Sequence, residues 1–357
     1  MGVPNLTIEF HKAAQEVESR LKRGVVALIV RDATVAPGLY RLGSETDIPS
    51  GLAVATEGYV KRAFTGWINR PQTVLLSVID ADDDLVEAGA APLMACDFDY
   101  LAGPPSYTGT EAEDLVDWLD EAREGYCIGK LVLPSQAADN MAVVNFVASG
   151  IKVGATSYTA GDYCSRIAGI LAGTPISGSG TYAQLPEVTA VTAQADPDND
   201  IDGGKLILLH DGRKAKIARA VNSLQTLGDL PASLKKIKVV EAVDLIRSRA
   251  RSVIEDSYIG RMANSYDNKQ LLVAQLQSFL QDLESEGVLT SGTGYAELDL
   301  DAQRAWLVEQ GTDVSAMTDQ EILQADTGSW VFVKMGGTIL DAMEDFAVGF
   351  WMGGNAV

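Results

Sequence analysis

The two ends of this 357-residue chain carry alternating apolar residues with no hairpin mate beside them. Leu6, Ile8 and Phe10 alternate with polar residues near the start, and Phe346, Val348, Phe350 and Met352 alternate near the finish. Period-two alternation marks a strand with one face to bury. A lone terminal strand must find its sheet elsewhere, and the edge of a neighbouring copy is the available place. This constraint points to a polymer rather than a solitary enzyme.

The length exceeds the size at which one core keeps growing, so two or three domains are expected. With 46% hydrophobic and 22% charged residues the composition is that of a folded protein. Its formal net charge of -21 argues against nucleic acid and anionic membranes as partners, because like charges would have to be brought together. Cys96, Cys127 and Cys164 are widely spaced and form no C-x-x-C pair, which fits a reducing compartment better than a disulfide framework or a zinc site. The start lacks a basic segment followed by an apolar one, and no stretch approaches the ~20 apolar residues of a membrane span. Neither export by a signal peptide nor membrane insertion is expected.

Lys12 to Arg23 reads as a polar tether leading to Gly24. Strand-like runs then alternate with helical patterns: Val25 to Val30, Ala53 to Phe64, Val74 to Ile79, Asp84 to Ala91, Glu111 to Glu124 and Ile128 to Leu133. That alternation predicts an α/β layer. Val30 is followed by Arg31-Asp32-Ala33-Thr34 rather than a glycine-rich turn, so no phosphate cradle is expected. Beyond Pro134 the pattern predicts shorter strands, Ala142 to Val147 and Ile151 to Val153. Tyr163 to Ala172 follows, where Ala168, Gly169, Ala172 and Gly173 leave room for a very close packing partner. Leu206 to Leu209 and Ala215 to Ala220 flank Asp211-Gly212, a hairpin-turn dipeptide. The last third is mainly helical: Val253 to Arg261, Asn268 to Glu284 ending at Gly287, Asp301 to Glu309, and Thr318 to Ala325 with a Thr318–Glu321 capping box. Trp330 to Lys334 returns to strand. The fold class is therefore mixed, α/β followed by α+β.

Between Asp80 and Glu124 fourteen acidic residues face one basic residue, whereas Lys205 to Arg261 holds twelve basic and six acidic residues. Either these are two solvated faces, or they are complementary patches of a head-to-tail interface, which closes into rings or continues as a helix.

Candidate chemistry is sparse. Asp198, Asp200, Asp202 and Gly203 match the first half of a calcium loop, but its last position falls on Leu209 instead of a bidentate glutamate, so an acidic turn leading into a strand explains them better. Asp82, Asp83 and Asp84 read as a helix N-terminus. His11 and His210 lie in no catalytic motif, and His210 is expected to flank the Asp211 turn. Cys164, near Arg166, reads as a buried filler rather than a nucleophile. No catalytic, metal-binding or cofactor-binding residue is assigned, and no cofactor is expected.

Four segments resemble the sheath protein of contractile phage tails, in the short form of Gram-positive prophages and phage-tail-like bacteriocins. They are Ser165–Pro175 (SRIAGILAGTP), Ile217–Leu224 (IARAVNSL), Tyr258–Lys269 (YIGRMANSYDNK) and Leu340–Asp345 (LDAMED). The likeness spans nearly the whole chain, although the acidic stretch matches only in pattern and the ending, Phe350 to Val357, is longer and more aromatic than that family's. The resemblance implies a homopolymer of stacked hexameric rings around an inner tail tube protein, bounded by baseplate and tail terminator proteins. It also implies assembly in the bacterial cytoplasm and a place in a virion tail or tail-like particle. The termini would be exchanged between subunits through Leu6, Ile8, Phe10, Phe346, Val348, Phe350 and Met352, with Gly24, Gly336 and Gly337 as hinges. The implied organisation is an N-terminal arm and tether (1–23), an outer α/β domain (24–160), a β-rich middle (161–235), a tube-facing C-terminal core (236–340) and a C-terminal arm (341–357). A static tail tube or baseplate protein, or an α/β enzyme, are the alternatives.

Overall fold

The computed structural model describes residues 24–125 and 127–350. The expected strand at Leu6, Ile8 and Phe10, His11, the tether from Lys12 to Arg23, and Met352 lie outside the described residues. Two compact units form, one from residues up to 133 together with 161–173, the other from 134–160 and 174 onward. No described helix is long and apolar enough to cross a membrane.

The first unit is built on β1 (Val25–Arg31), β2 (Gly38–Leu42), β3 (Thr73–Ile79), β4 (Tyr100–Ala102) and β5 (Lys130–Pro134), in the order β2-β3-β1-β4-β5. β1 lies parallel to β3 and β4, β4 lies parallel to β5, and β2 closes one edge antiparallel to β3. β1 and β3 are almost continuously apolar and buried, as parallel strands covered on both faces require. Helices α1 (Val54–Phe64), α2 (Glu111–Glu124) and α3 (Ala160–Ala172) complete this unit. At the end of β1, Asp32 accepts hydrogen bonds from the amides of Thr34 (2.9 Å) and Ala53 (3.0 Å). Burial pushes its carboxyl pKa up, but hydrogen bonds from Thr34, Thr56 and Ala53 outweigh that and hold it at about 2.

α3 shows what the first resemblance motif does. A Cβ at Gly169 would overlap the carbonyl of Ala63 on α1, and one at Gly173 would overlap the carbonyl of Asn69, so the helix lies directly on backbone. Ser165 Oγ donates to the Tyr59 carbonyl (2.8 Å), and the buried Arg166 guanidinium donates to the carbonyls of Thr65 and Gly66 just beyond the C-terminus of α1. A cation there satisfies orphan carbonyls and complements the helix dipole. The sequence placed this helix at the head of a β-rich middle region, whereas it packs into the α/β unit and residues 134–160 leave it. Residue-level spacing reveals the close approach but not which unit supplies the other backbone.

In the second unit, β6 (Val143–Val147) is followed by the hairpin β7 (Ile151–Val153) and β8 (Thr156–Tyr158), then β9 (Gln184–Leu185), β10 (Lys205–His210) and β11 (Ala215–Ile217). β6 and β10 pair parallel, and β11 pairs antiparallel with β10 and β9. Asp211-Gly212 makes the expected turn: Gly212 has φ +89°, and Asp211 Oδ1 accepts the amides of Arg213 and Lys214 at 3.0 Å each. A short helix α4 (Pro197–Asp202) precedes β10 where an acidic turn was expected. Asp196 supplies its N-cap through the Asn199 amide, and Pro197 fits the first helical position.

The IARAVNSL segment staples this unit. Buried Asn222 donates to the Leu234 carbonyl (2.7 Å) and accepts the Leu224 amide, while Ser223 bonds the backbone of Asn140 and Val143. Leu224, Leu234, Val239 and Val240 form the adjoining core, with Ile339 packed on it.

Helix α5 runs Ile237–Ser257, far longer than the Val253 to Arg261 segment expected. Its first turns, Ile237 to Val240, are rich in β-branched residues that read as strand, and burial of that face overrides the propensity. α6 (Tyr266–Ser285) buries Leu272, Leu276, Phe279, Leu280 and Leu283, whereas Leu271, which has the same apolar character, is exposed. Strands β12 (Tyr295–Leu298) and β13 (Val333–Gly336) form a separate antiparallel pair, with α7 (Leu300–Glu309) and α8 (Asp319–Gln324) between them in the chain. β13 begins three residues later than the expected Trp330. α8 carries the Thr318–Glu321 capping box.

Because a Cβ at Gly169 meets backbone rather than a movable side chain, Gly169→Val is expected to destabilise the first unit by about 1–3 kcal/mol. Chemical denaturation measures this, and an unchanged midpoint would contradict the close α1–α3 contact.

Candidate assembly interface

Of the chemical candidates, Cys164, His210, Asp200, Asp83 and Asp84 have structural roles, while His11 lies outside the described residues. Cys164 is buried, and that burial, with the nearby Asp162 carboxylate, pushes its thiol pKa far up, away from nucleophilic character. His210 Nδ1 accepts the Gly212 amide (3.1 Å) in the β10–β11 turn. Asp200 pairs with Lys205 at 2.7 Å beside α4. Asp84 caps a short helical turn at Leu85–Ala90 by accepting the amides of Val86 and Glu87, and Asp83 accepts the Asp80 amide. Among the described residues no three His, Cys, Asp or Glu side chains are grouped to hold a metal ion.

The charge segregation divides. On α2 the exposed positions include Glu113, Asp114, Asp117, Asp120, Glu121 and Glu124, an acidic face on one helix. Of the twelve basic residues between 205 and 261, at least six form ion pairs with carboxylates of their own unit, among them Lys205, Lys216, Arg219, Lys236, Arg249 and Arg251. The basic region is therefore partly neutralised before any neighbour arrives.

What stands open is backbone and apolar surface. β13 is held from below by the YIGRMANSYDNK segment: Asn264 Nδ2 reaches the carbonyls of Gly328 (2.8 Å) and Trp330 (2.9 Å), and buried Lys269 donates to Thr327 Oγ1 (2.9 Å). Thr327 in turn donates to the Trp330 carbonyl (2.6 Å), and Trp330 stacks on Phe332 with 6.2 Å between ring centroids. β12 lies against α6, where Gln277 Oε1 accepts the outward Ala296 amide (2.8 Å) and so closes that edge.

The other edge belongs to β13. The Asp299 amide bonds the Phe332 carbonyl (3.0 Å), so Asp299 and Phe332 form a hydrogen-bonded pair. Alternation along the register makes Glu297–Lys334 and Tyr295–Gly336 hydrogen-bonded pairs as well. Val333 and Met335 then point their amides and carbonyls away from β12, and no described strand receives them. A two-stranded sheet with one open edge is the minimal template for an added strand.

The C-terminal segment supplies the matching deficit. After β13 the chain stays bound to its own unit: Thr290 donates to the Thr338 carbonyl (2.8 Å) and Leu340 to that of Val288 (2.9 Å). Asp341 pairs with Lys236, Asp345 with Arg219 at 2.5 Å, and Glu344 lies within 3.7 Å of both cations. Beyond Asp345, Phe346, Val348 and Phe350 are 73%, 87% and 85% exposed, and no strand is formed. Their alternation is intact, but its face is bare.

The glycines expected as hinges are held. Gly24 (φ +108°) donates its amide to Asp99 Oδ2 at 2.6 Å and accepts the Gln72 amide at 2.7 Å. Gly336 is paired with Tyr295, whose ring would overlap a Cβ there, and Gly337 packs against Leu289. Close approach, rather than freedom, explains glycine at 336. The arm leaves its unit at Asp345, nine residues beyond the expected joint.

A family model described as the phage tail sheath C-terminal domain matches residues 229–350. A tail sheath protein of Clostridium phage phiCD119 is 34% identical, over 97% of this chain and 98% of that protein. The crystal structure of a sheath tail protein from Desulfitobacterium hafniense has a TM-score of 0.67 at 15% identity, over 83% of this chain and 94% of that one. A chain of the anti-feeding prophage baseplate, solved by cryo-electron microscopy, has a TM-score of 0.64 at 15% identity, over 99% of both chains.

Proposed function

Because the chain belongs to the phage tail sheath protein family, being a structural subunit of a contractile tail, we propose that it polymerises by donating residues 346–350 to the open β13 edge of another copy. The observation that carries this reading is the alternating ridge Phe346, Val348, Phe350, bare on a segment whose root is anchored. An added strand satisfies the outward backbone groups of Val333 and Met335 and buries the ridge in one step. Leu6, Ile8 and Phe10 at the other end, and Met352 beyond the described arm, have the same alternation and extend the linkage to further copies.

The lattice surrounds an inner tube as stacked hexameric rings, between baseplate and terminator proteins, in the tail of a phage or phage-like particle assembled in the bacterial cytoplasm. Acidic and basic surfaces set the approach of neighbours, with the exposed carboxylates of α2 as the acidic surface and the lysine- and arginine-rich stretch from Lys205 to Arg261 as the basic one. Contraction needs no nucleotide: if each subunit gains even about 2 kcal/mol on repacking its faces, many subunits in series drive the tube through an envelope. Strand pairing by backbone bonds persists while the side-chain contacts of the bodies change.

Two variants test the donor and the acceptor. Deleting 346–357 leaves the anchor at 341–345 and is expected to give a folded monomer that forms no tubes in electron microscopy. Met335→Pro removes an outward N–H while sparing the β12 ladder, so the chain folds and fails to polymerise. Wide ridged cylinders from either variant would contradict strand donation, and narrow smooth tubes from the full chain would favour a static tube protein.

A further inference from the structure

We propose that Asp341, Glu344 and Asp345 form an ionic latch that fixes the direction in which residues 346–350 leave their unit, and so presets the arm for transfer to another copy. The inference rests on the strand-donation reading and adds to it a device within each subunit. Glu344 is its centre: its carboxylate is 6% exposed, Oε1 accepts from Ser179 Oγ (2.8 Å) and Thr181 Oγ1 (2.6 Å), and Oε2 makes no hydrogen bond. That oxygen lies 3.7 Å from both Arg219 and Lys236, and a buried carboxylate is tolerated only with such cations beside it.

The other groups facing it divide by sign. Lys238 donates to the Ser177 carbonyl (3.0 Å) and adds a third positive charge near Asp341 and Glu344, while burial lowers its pKa. Asp341 and Asp345 flank Glu344 along the chain, each taking one cation, and the phenol of Tyr182 lies near Arg219. Burial pushes the Asp341 carboxyl up, but the Lys236 hydrogen bond and the Ala342 amide outweigh it and hold the carboxyl below its ordinary value. Two walls of the latch are fixed by other parts of the second unit. The Ala220 amide donates to Thr181 Oγ1 (3.0 Å), and Lys236 sits at the start of α5, where its amide bonds the Ser233 carbonyl.

The spacing of carboxylates at 341, 344 and 345 thus grips a non-helical segment whose intervening Met343 is 87% exposed. A segment held at its root has fewer conformations to lose when its tip is captured, which strengthens capture without any contact at the tip. Because Asp345 and Lys236 are partly solvated, salt weakens the grip.

The test uses the full chain, with the critical concentration for tube formation measured by sedimentation and hydrogen exchange followed at 341–345. Glu344→Gln keeps size and the hydroxyl contacts but removes the charge. It is expected to raise the critical concentration about tenfold, to speed exchange at 341–345, and to leave α6 unchanged. Lys236→Asp alone does the same, and combining it with Asp341→Lys restores assembly to within about threefold of the original. If Glu344→Gln also loosens α6, the charge-swapped pair decides: rescue supports the latch and no rescue overturns it. Normal assembly and exchange in both single variants, with the chain lacking 346–357 still monomeric, overturns the latch and leaves strand donation standing. Tubes from that shortened chain overturn the reading beneath it.

Discussion

A strand edge that no described strand of the same chain covers is the constraint on which the rest of this structure depends. Val333 and Met335 present backbone donors and acceptors outward from a two-stranded sheet, and the arm beyond Asp345 presents backbone and an apolar ridge that no described strand receives. Each feature alone is an aggregation hazard. Together they are complementary, and since both belong to every copy, satisfying one leaves another open. Under the proposed strand donation this is the logic of a polymer: a heterologous contact of that kind continues until a ring closes or growth is stopped.

The second unit is organised around keeping these two features in place. Asn264 and Lys269 pin the approach to β13, Gln277 closes the wrong edge through β12, and the Asn222 and Ser223 staples fix the loops below α5. The three motifs in this unit that resemble sheath proteins supply polar fasteners of this kind, through Asn222 and Ser223, and through Asn264 and Lys269, or, in LDAMED, the ionic root of the arm. In the first unit SRIAGILAGTP has a different task, bringing α3 onto the backbone around α1. Strained or reactive chemistry is not needed for any of these tasks: Cys164 is buried within α3, and His210, Asp84 and Asp200 serve a turn, a cap and an ion pair.

In the first unit β1, β3 and β5 were legible because parallel strands are continuously apolar, and α1 and α2 because of their periodicity, whereas the shorter strands β2 and β4 were not read. The Asp211-Gly212 turn and the Thr318 capping box were legible for local reasons, since each is decided within four residues. What escaped was decided at long range. The start of α5 looks like a strand because Ile237, Val239 and Val240 are β-branched, and only burial makes them helical. The assignment of α3 to the first unit depends on the carbonyls of Ala63 and Asn69, distant in sequence. At Gly336-Gly337, read from the sequence as a hinge, the structure supplies a reason of space as well, since Tyr295 and Leu289 pack where a Cβ would stand. The apolar alternation of the ends was legible, although Leu6, Ile8 and Phe10 lie outside the described residues and 346–350 form no strand here; the open edge of β13 was not legible, because an edge is defined by what fails to pair with it.

Residue-resolved hydrogen exchange on the full chain, compared before and after tubes form, bears most directly on this account. In the free subunit the amides of Lys334 and Gly336 are already protected by β12, whereas those of Val333, Met335 and 346–350 exchange freely. Assembly is predicted to protect Val333, Met335 and the arm together, in the same step. Tubes in which these amides still exchange as in the free subunit would contradict the claim that the arm completes the β13 edge.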